Sequence, residues 1–240
     1  MSASGRLVVT LPALNPKTIR LPVAFDALLA PCNDESAAAV FDIDNTIADT
    51  RYRTMAVAYA FDAIRGSNHF RELTLESIGL DGISTAQRLG LPSEVSIDFQ
   101  EFWNGPDGFW CGARFASDLA IETVALLARQ VQANGLEVVW LTGRIEALRE
   151  PTQNWLAQQE LPAGTLVCKP DLSVRTAPYK VEVLRGYERN KSVRFFVTES
   201  CGDIAAVQAA LPNICCVLVE FPCQESVAVR PNTLCLPLGG

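Results

Sequence analysis

Five short apolar runs set the limits on what this chain can fold into. They are AAAVFDID (37–44), EVVWLT (137–142), TLVCK (165–169), VRFFVT (193–198) and CCVLVEF (215–221). Each is nearly continuous rather than alternating, as expected of strands buried on both faces of a parallel sheet. Helical patterns separate them. In SDLAIETVALLARQVQANG, residues Ile121, Val124, Ala125, Ala128 and Val131 share a face; Ser117 or Asp118 can cap the start and Gly135 can close the end. RIEALREPTQNWLAQQEL follows the second run, and Pro151 is expected to kink or restart that helix. APYKVEVLRGYE follows the third run and SCGDIAAVQAAL the fourth. Alternating strand and helix predicts an α/β fold, with a Rossmann-like parallel sheet of about five strands and helices on both faces.

One connection is too long for that plan. More than sixty residues separate Asp49 from the helix near Ser117, and a structureless loop of that length does not suit a compact domain. RTMAVAYAFDAIRG, RELTLESIG and STAQRLG read as helical, and the aromatic, turn-rich FQEFWNGPDGFW follows them. The expected organisation is an α/β core over 37–50 and 117–240, with a helical cap insertion over 51–116. An N-terminal extension over 1–36 holds the segments GRLVVTL and KTIRLPV as potential strands, and residues after Phe221 read as an extended tail.

A chain of 240 residues, half of them hydrophobic, can bury a sizeable core. The net charge of -7 weighs against a general nucleic-acid binder, although a local basic pocket stays compatible with it. Eight cysteines include no Cys-x-x-Cys pair, and His69 is the single histidine, so the thiols read as reduced core residues. No run approaches the roughly 20 apolar residues that span a bilayer, and no signal-like N-terminal pattern is present. A cytoplasmic protein without a membrane anchor is expected.

In α/β sheets ligands gather at the carboxyl ends of the strands, and the residues there carry chemistry. The first run ends in Asp42 and Asp44, whose side chains alternation sends the same way. Two close carboxylates repel unless a cation or proton lies between them, and Mg2+ prefers such oxygen ligands. The competing reading makes them turn formers. The second run ends in Thr142, Gly143 and Arg144, which suit a phosphate oxygen; Arg144 either reaches that anion or pairs with a local acid. Lys169 and Lys180 lie between the third and fourth runs, and the fourth ends in Thr198, Glu199 and Ser200, followed by Asp203.

In that order these strand ends resemble the haloacid dehalogenase-like (HAD) phosphatases. FDIDNTIADT matches the Asp-x-Asp-x-Thr signature and VVWLTGR the second motif. EPTQNWL and VCKPDLSVRTAPYKVEVL resemble the acid-phosphatase-like and polynucleotide-phosphatase-like branches, where the essential lysine opens the helix, which favours Lys180 over Lys169. The fourth motif departs from the family: Thr198 and Glu199 stand where two aspartates are usual. Asp203 either compensates or caps the helix.

The resemblance implies a Mg2+-dependent phosphomonoesterase acting on a small phosphorylated metabolite or nucleotide. Asp42 would be the nucleophile and Asp44 the acid and base; Thr142 and Lys180, with Gly143 and Arg144, would hold the phosphate. Asp42, Asp44 and Glu199 would hold the metal, and Thr46 would steady the loop. The alternatives are a non-catalytic module binding a phosphorylated ligand or a partner, and a phosphatase on nucleic-acid ends. Arg51 and Arg53 could meet a second anion or lie at the surface. Trp103, Phe109 and Trp110 could stack on a substrate ring or pack in a core.

Overall fold

The computed structural model describes Phe25, Leu29, residues 37–220 and residues 233–237. GRLVVTL and KTIRLPV lie outside these residues. The central sheet has six strands: β1 (Ala38–Phe41), β4 (Glu137–Ile145), β5 (Thr165–Lys169), β6 (Val193–Thr198), β7 (Cys215–Glu220) and β8 (Thr233–Pro237). They lie in the order β5-β4-β1-β6-β7-β8, and every pairing is parallel. The sheet thus has one strand more than the five apolar runs, because part of the expected tail pairs with β7.

The continuous apolar runs are explained by two cores, one on each face. Ala39 and Phe41 of β1 join Trp140, Phe195 and Val197, under helices α4 (Glu122–Ala133) and α5 (Arg149–Gln158). Ala38 and Val40 join Val139, Leu141 and Phe196, under α6 (Thr176–Glu188) and α7 (Cys201–Ala210). Alternate residues of the same strand feed opposite layers, so every position must be apolar. Pro151 falls in the first turn of α5, where a missing N–H costs no intrahelical bond, and the helix tolerates it.

The long connection forms helices α1 (Arg51–Arg65), α2 (Gly82–Arg88) and α3 (Ser93–Asn104). RELTLESIG forms only a short 3-10 turn over Leu75–Ser77. Val57, Phe61, Phe70, Phe99, Trp103 and Phe109 make a third core of their own in this insertion. The insertion meets the main body at a two-stranded antiparallel ribbon, β2 (Ala48–Asp49) against β3 (Leu119–Ala120). That ribbon displaces the start of α4: the helix opens at Glu122, and neither Ser117 nor Asp118 caps it.

The chain leaves β1 through a tight turn. Ile43 O accepts the N–H groups of Thr46, Ile47 and Ala48, and Asn45 takes a left-handed φ of 56°. Asparagine tolerates that region better than most residues. From β1 the chain crosses to β4 and β5 on one side, then returns past β1 to β6 on the other. The carboxyl end of β1 therefore opens on the crevice where the strand order switches.

Candidate active site

A cleft of about 450 Å³ opens over that switch point. Its lining includes Asp42, Asp44, Gly143, Arg144, Lys180 and Glu199 from the sheet side, with Asn104 and Trp110 from the insertion. Two charged clusters lie at its base.

The first is built around Asp42. Its Oδ1 accepts the Ile43 N–H at 2.8 Å; its Oδ2 accepts from Lys180 Nζ at 2.5 Å and from Thr198 Oγ1 at 3.1 Å. Lys180 stands in the first turn of α6 and also donates to Asp203 Oδ2 at 2.6 Å. Asp203 does not cap α7, because Ser200 does so by accepting the Asp203 N–H at 3.1 Å. Thr46 does more than steady its own loop. Its hydroxyl donates to Glu199 Oε2 at 2.7 Å and accepts the Glu199 N–H at 3.0 Å, tying the β1 turn to the end of β6.

Three carboxylates (Asp42, Glu199 and Asp203) thus surround one ammonium. Burial pushes the Asp42 carboxyl up, against the pull of Lys180. Burial and the charge of Asp42 together push Glu199 up to about 8. Burial alone would lower the Lys180 ammonium, but Asp42 and Asp203 outweigh it and hold it above its ordinary value. This cluster is short of positive charge.

The second cluster is balanced. Arg144 grips Asp44 with two bonds, Nη2 to Oδ1 at 2.7 Å and Nε to Oδ2 at 3.0 Å, and Arg53 Nη2 donates to Asp44 Oδ1 at 2.9 Å. Both guanidiniums also meet Asp118. Arg53 bonds it through Nε at 2.9 Å and through Nη2, and Arg144 Nη2 reaches its Oδ2 at 3.5 Å. Phe115 lies against both arginines, its ring centre 3.9 Å from the Arg144 guanidinium and 4.5 Å from that of Arg53. Burial would raise the Asp44 carboxyl, but Arg144 and Arg53 outweigh it and hold it well below the usual carboxylate range.

The candidate residues therefore divide. Asp42, Lys180 and Glu199 converge in the first cluster, and Asp44 and Arg144 in the second. Of the two readings of Arg144, the pairing with a local acid describes its geometry. Thr142 is fully buried, is not among the cleft-lining residues, and accepts the Arg144 N–H at 3.1 Å. Gly143 does line the cleft, and a side chain there would crowd Thr176 Cγ2 at 3.1 Å. Arg53 is not a surface arginine but fully buried. Arg51 is held by Asp49. Trp103 and Phe109 stack on each other at 4.4 Å inside the insertion, and Trp110 alone of the three aromatics faces the cleft.

Asp203, read from the sequence as either a compensating acid or a cap, meets Lys180, and Asp118, read only as a helix cap, is the further acid of the site. A signal for Asp118 was present in EPTQNWL. Thr152 accepts from Arg144 Nη1 at 3.3 Å, and Trp155 Nε1 donates to the Asp118 carbonyl at 3.1 Å. The threonine and tryptophan of that stretch brace the arginine clamp.

Comparisons with known proteins agree on the architecture. A family model described as the LNS2 domain of PITM 1-3 matches residues 115–210. No curated protein matches the chain by sequence. A haloacid dehalogenase-like hydrolase from Bacteroides fragilis superimposes with a TM-score of 0.53 at 15% identity, over 85% of this chain and 98% of that one. Protein tyrosine kinase A (PtkA) from Mycobacterium tuberculosis also gives 0.53, at 14% identity, over 87% and 95%. CbbY from Rhodobacter sphaeroides, solved in complex with phosphate, gives 0.50 at 14% identity, over 83% and 92%. Two of these three carry names of different activities, so the shared fold does not by itself fix the reaction.

Proposed function

We propose that this chain, which has the haloacid dehalogenase-like fold, is a Mg2+-dependent phosphomonoesterase that acts on a small phosphorylated substrate. One observation carries the reading: a carboxylate at the switch point of the sheet, Asp42, held by Lys180 in a cluster that lacks positive charge.

The residues present fit a divalent cation. Among the described residues no three carboxyl, imidazole or thiol groups form a ready-made metal cage. Mg2+ does not need one, since it keeps several waters and binds through one or two carboxylates plus substrate phosphate. Asp42 and Glu199 would hold it; burial and the charge of Asp42 push the Glu199 carboxyl up, and a cation beside it would offset that repulsion. When bound, it would neutralise these acids and the phosphate oxygens.

Asp42 then attacks phosphorus with a carboxylate oxygen. The bond from phosphorus to the substrate oxygen breaks, its electron pair leaves with that oxygen, and an aspartyl-phosphate remains. The Ile43 N–H fixes the orientation of the Asp42 carboxylate. Lys180, kept charged by Asp42 and Asp203, offsets the charge that spreads over the phosphoryl oxygens. Water then attacks the aspartyl-phosphate and gives its proton to Asp44, releasing phosphate and restoring Asp42; the departed oxygen takes its proton from solvent, and Asp44 returns its own there. The two arginines favour the carboxylate form of Asp44, which suits that second step. They oppose the acid form that would protonate the leaving oxygen in the first. Thr142 contributes through Arg144, whose N–H it receives. The described cysteines are free thiols, which agrees with a cytoplasmic location.

The test is hydrolysis of p-nitrophenyl phosphate with and without Mg2+. Asp42→Asn is expected to lower kcat by about a thousandfold or more. Unchanged turnover in that variant would remove Asp42 as the nucleophile. A second reading, a phospho-ligand binder without turnover, is favoured by Thr198, which presents a hydroxyl to Asp42 where an acid was expected. Phosphate binding by a wild type that shows no Mg2+-dependent turnover would select it.

A further inference from the structure

The phosphate chemistry leaves one cation of the cleft unused. Lys169 ends β5, is only 7% exposed, and lines the cleft. Among the described residues its ammonium has no hydrogen bond or ion pair. Asp171 feels its charge, but the Asp171 carboxylate is already engaged by the Ser173 N–H at 2.8 Å and the Ser173 hydroxyl at 2.5 Å. A buried lysine stem carrying an uncommitted ammonium into a cleft is costly without an anion to meet it.

The sheet sets where the Lys169 backbone enters the cleft. β4 separates β5 from β1, so the two strand ends stand two spacings apart, about 10 Å. Asp42 is already served by Lys180 from α6, so Lys169 is the cation of the cleft left to meet a second anion.

The mouth of the cleft has a different character. Trp110 is 40% exposed there. Its ring stands edge-on to Phe109 at 5.0 Å, and Phe109 is itself stacked on Trp103. The indole is thus braced from behind by the insertion's core and offers its remaining surface to the cleft. Leu148 and Leu172 also line it, and Leu172 is 78% exposed. Apolar side chains exposed around one unmatched cation fit a ligand with a flat apolar body and a terminal anion.

We propose that Lys169 and Trp110 form a specificity subsite, and that the substrate is a phosphomonoester whose leaving group carries a flat ring and a second anionic group at its far end. This rests on the phosphatase reading for its chemistry, but its test is made on binding, so the two can fail separately.

The probes are three non-hydrolysable phosphonates in the presence of Mg2+: methylphosphonate, benzylphosphonate, and benzylphosphonate bearing a para carboxyethyl group. Affinities are measured by calorimetry. The wild type is expected to bind the carboxylated arene about tenfold more tightly than benzylphosphonate, the return from one charge-assisted contact. Lys169→Met should bring that ratio to about one, and Lys169→Arg should keep most of it. Trp110→Ala should weaken both arenes relative to methylphosphonate. Equal affinities in the wild type, an unchanged ratio in Lys169→Met, or no binding of either arene would overturn the subsite. A preserved ratio without turnover of p-nitrophenyl phosphate would instead overturn only the phosphatase reading.

Discussion

Glu199 carries the clearest pH signature in the molecule. Burial and the neighbouring Asp42 raise its carboxyl from 4.5 to about 8. Between those values the unfolded chain releases a proton that the folded protein keeps, so stability falls as pH rises across that window. In the presence of a chelator, the melting temperature should drop from pH 5 to pH 8, and Glu199→Gln should flatten much of that slope. A slope untouched by the substitution would assign the effect to other groups. Thr198 limits the charge deficit. Its hydroxyl donates to Asp42 where a second acid would add to the crowding. At this scale motif spacing singled out Asp42 and Lys180, and the structure brings the two into contact. The sequence left Asp203 open between two roles and offered Asp118 only as a helix cap, because their partners lie 23 and 65 residues away in the chain. Spacing along one strand or helix carries no trace of such pairs.

At the scale of elements, helix α1 belongs to the insertion yet completes the core's chemistry. Arg53, in its first turn, reaches both Asp44 and Asp118. Asp118 lies just before β3, so the arginine bridges the two chain crossings between insertion and core. Asp118→Asn should cost about 3 kcal/mol or more in urea unfolding, because two buried guanidiniums lose a counter-charge. A loss of under about 1 kcal/mol would show that the clamp is no more than a surface-like pair. The five apolar runs were readable as strands because burial on both faces leaves no polar positions to confuse the period. β8 was not: its five residues pair with β7 alone, and partner choice at a sheet edge is not written in so short a run. The start of α4 was misjudged for a related reason. Ser117 and Asp118 have the chemistry of helix caps, but tertiary pairing draws the next two residues into the ribbon and Asp118 into the clamp.

For the whole molecule, the two clusters predict how it should respond to ligands. One is balanced and needs nothing; the other lacks positive charge and gains from a cation together with an anion that spans to it. Mg2+ and phosphate added together, at about a hundredfold above their dissociation constant, should stabilise the fold by about 2.7 kcal/mol. For a chain of this size that is a rise in melting temperature of roughly 5 to 10 °C, followed by thermal scanning. Mg2+ alone should give less, and Asp42→Asn should reduce the joint effect; no shift with both present would count against the metal site. Among the described residues no helix is long and apolar enough to cross a membrane. The reach of Arg53 has a further consequence for engineering. Many insertions can be exchanged as cartridges, since they touch their host only at two chain crossings. This one cannot: excision between residues 51 and 116 would take Arg53 and Phe115 with it, leaving Asp44 and Arg144 half-partnered in the host. A replacement lid would have to bring its own guanidinium to the same place.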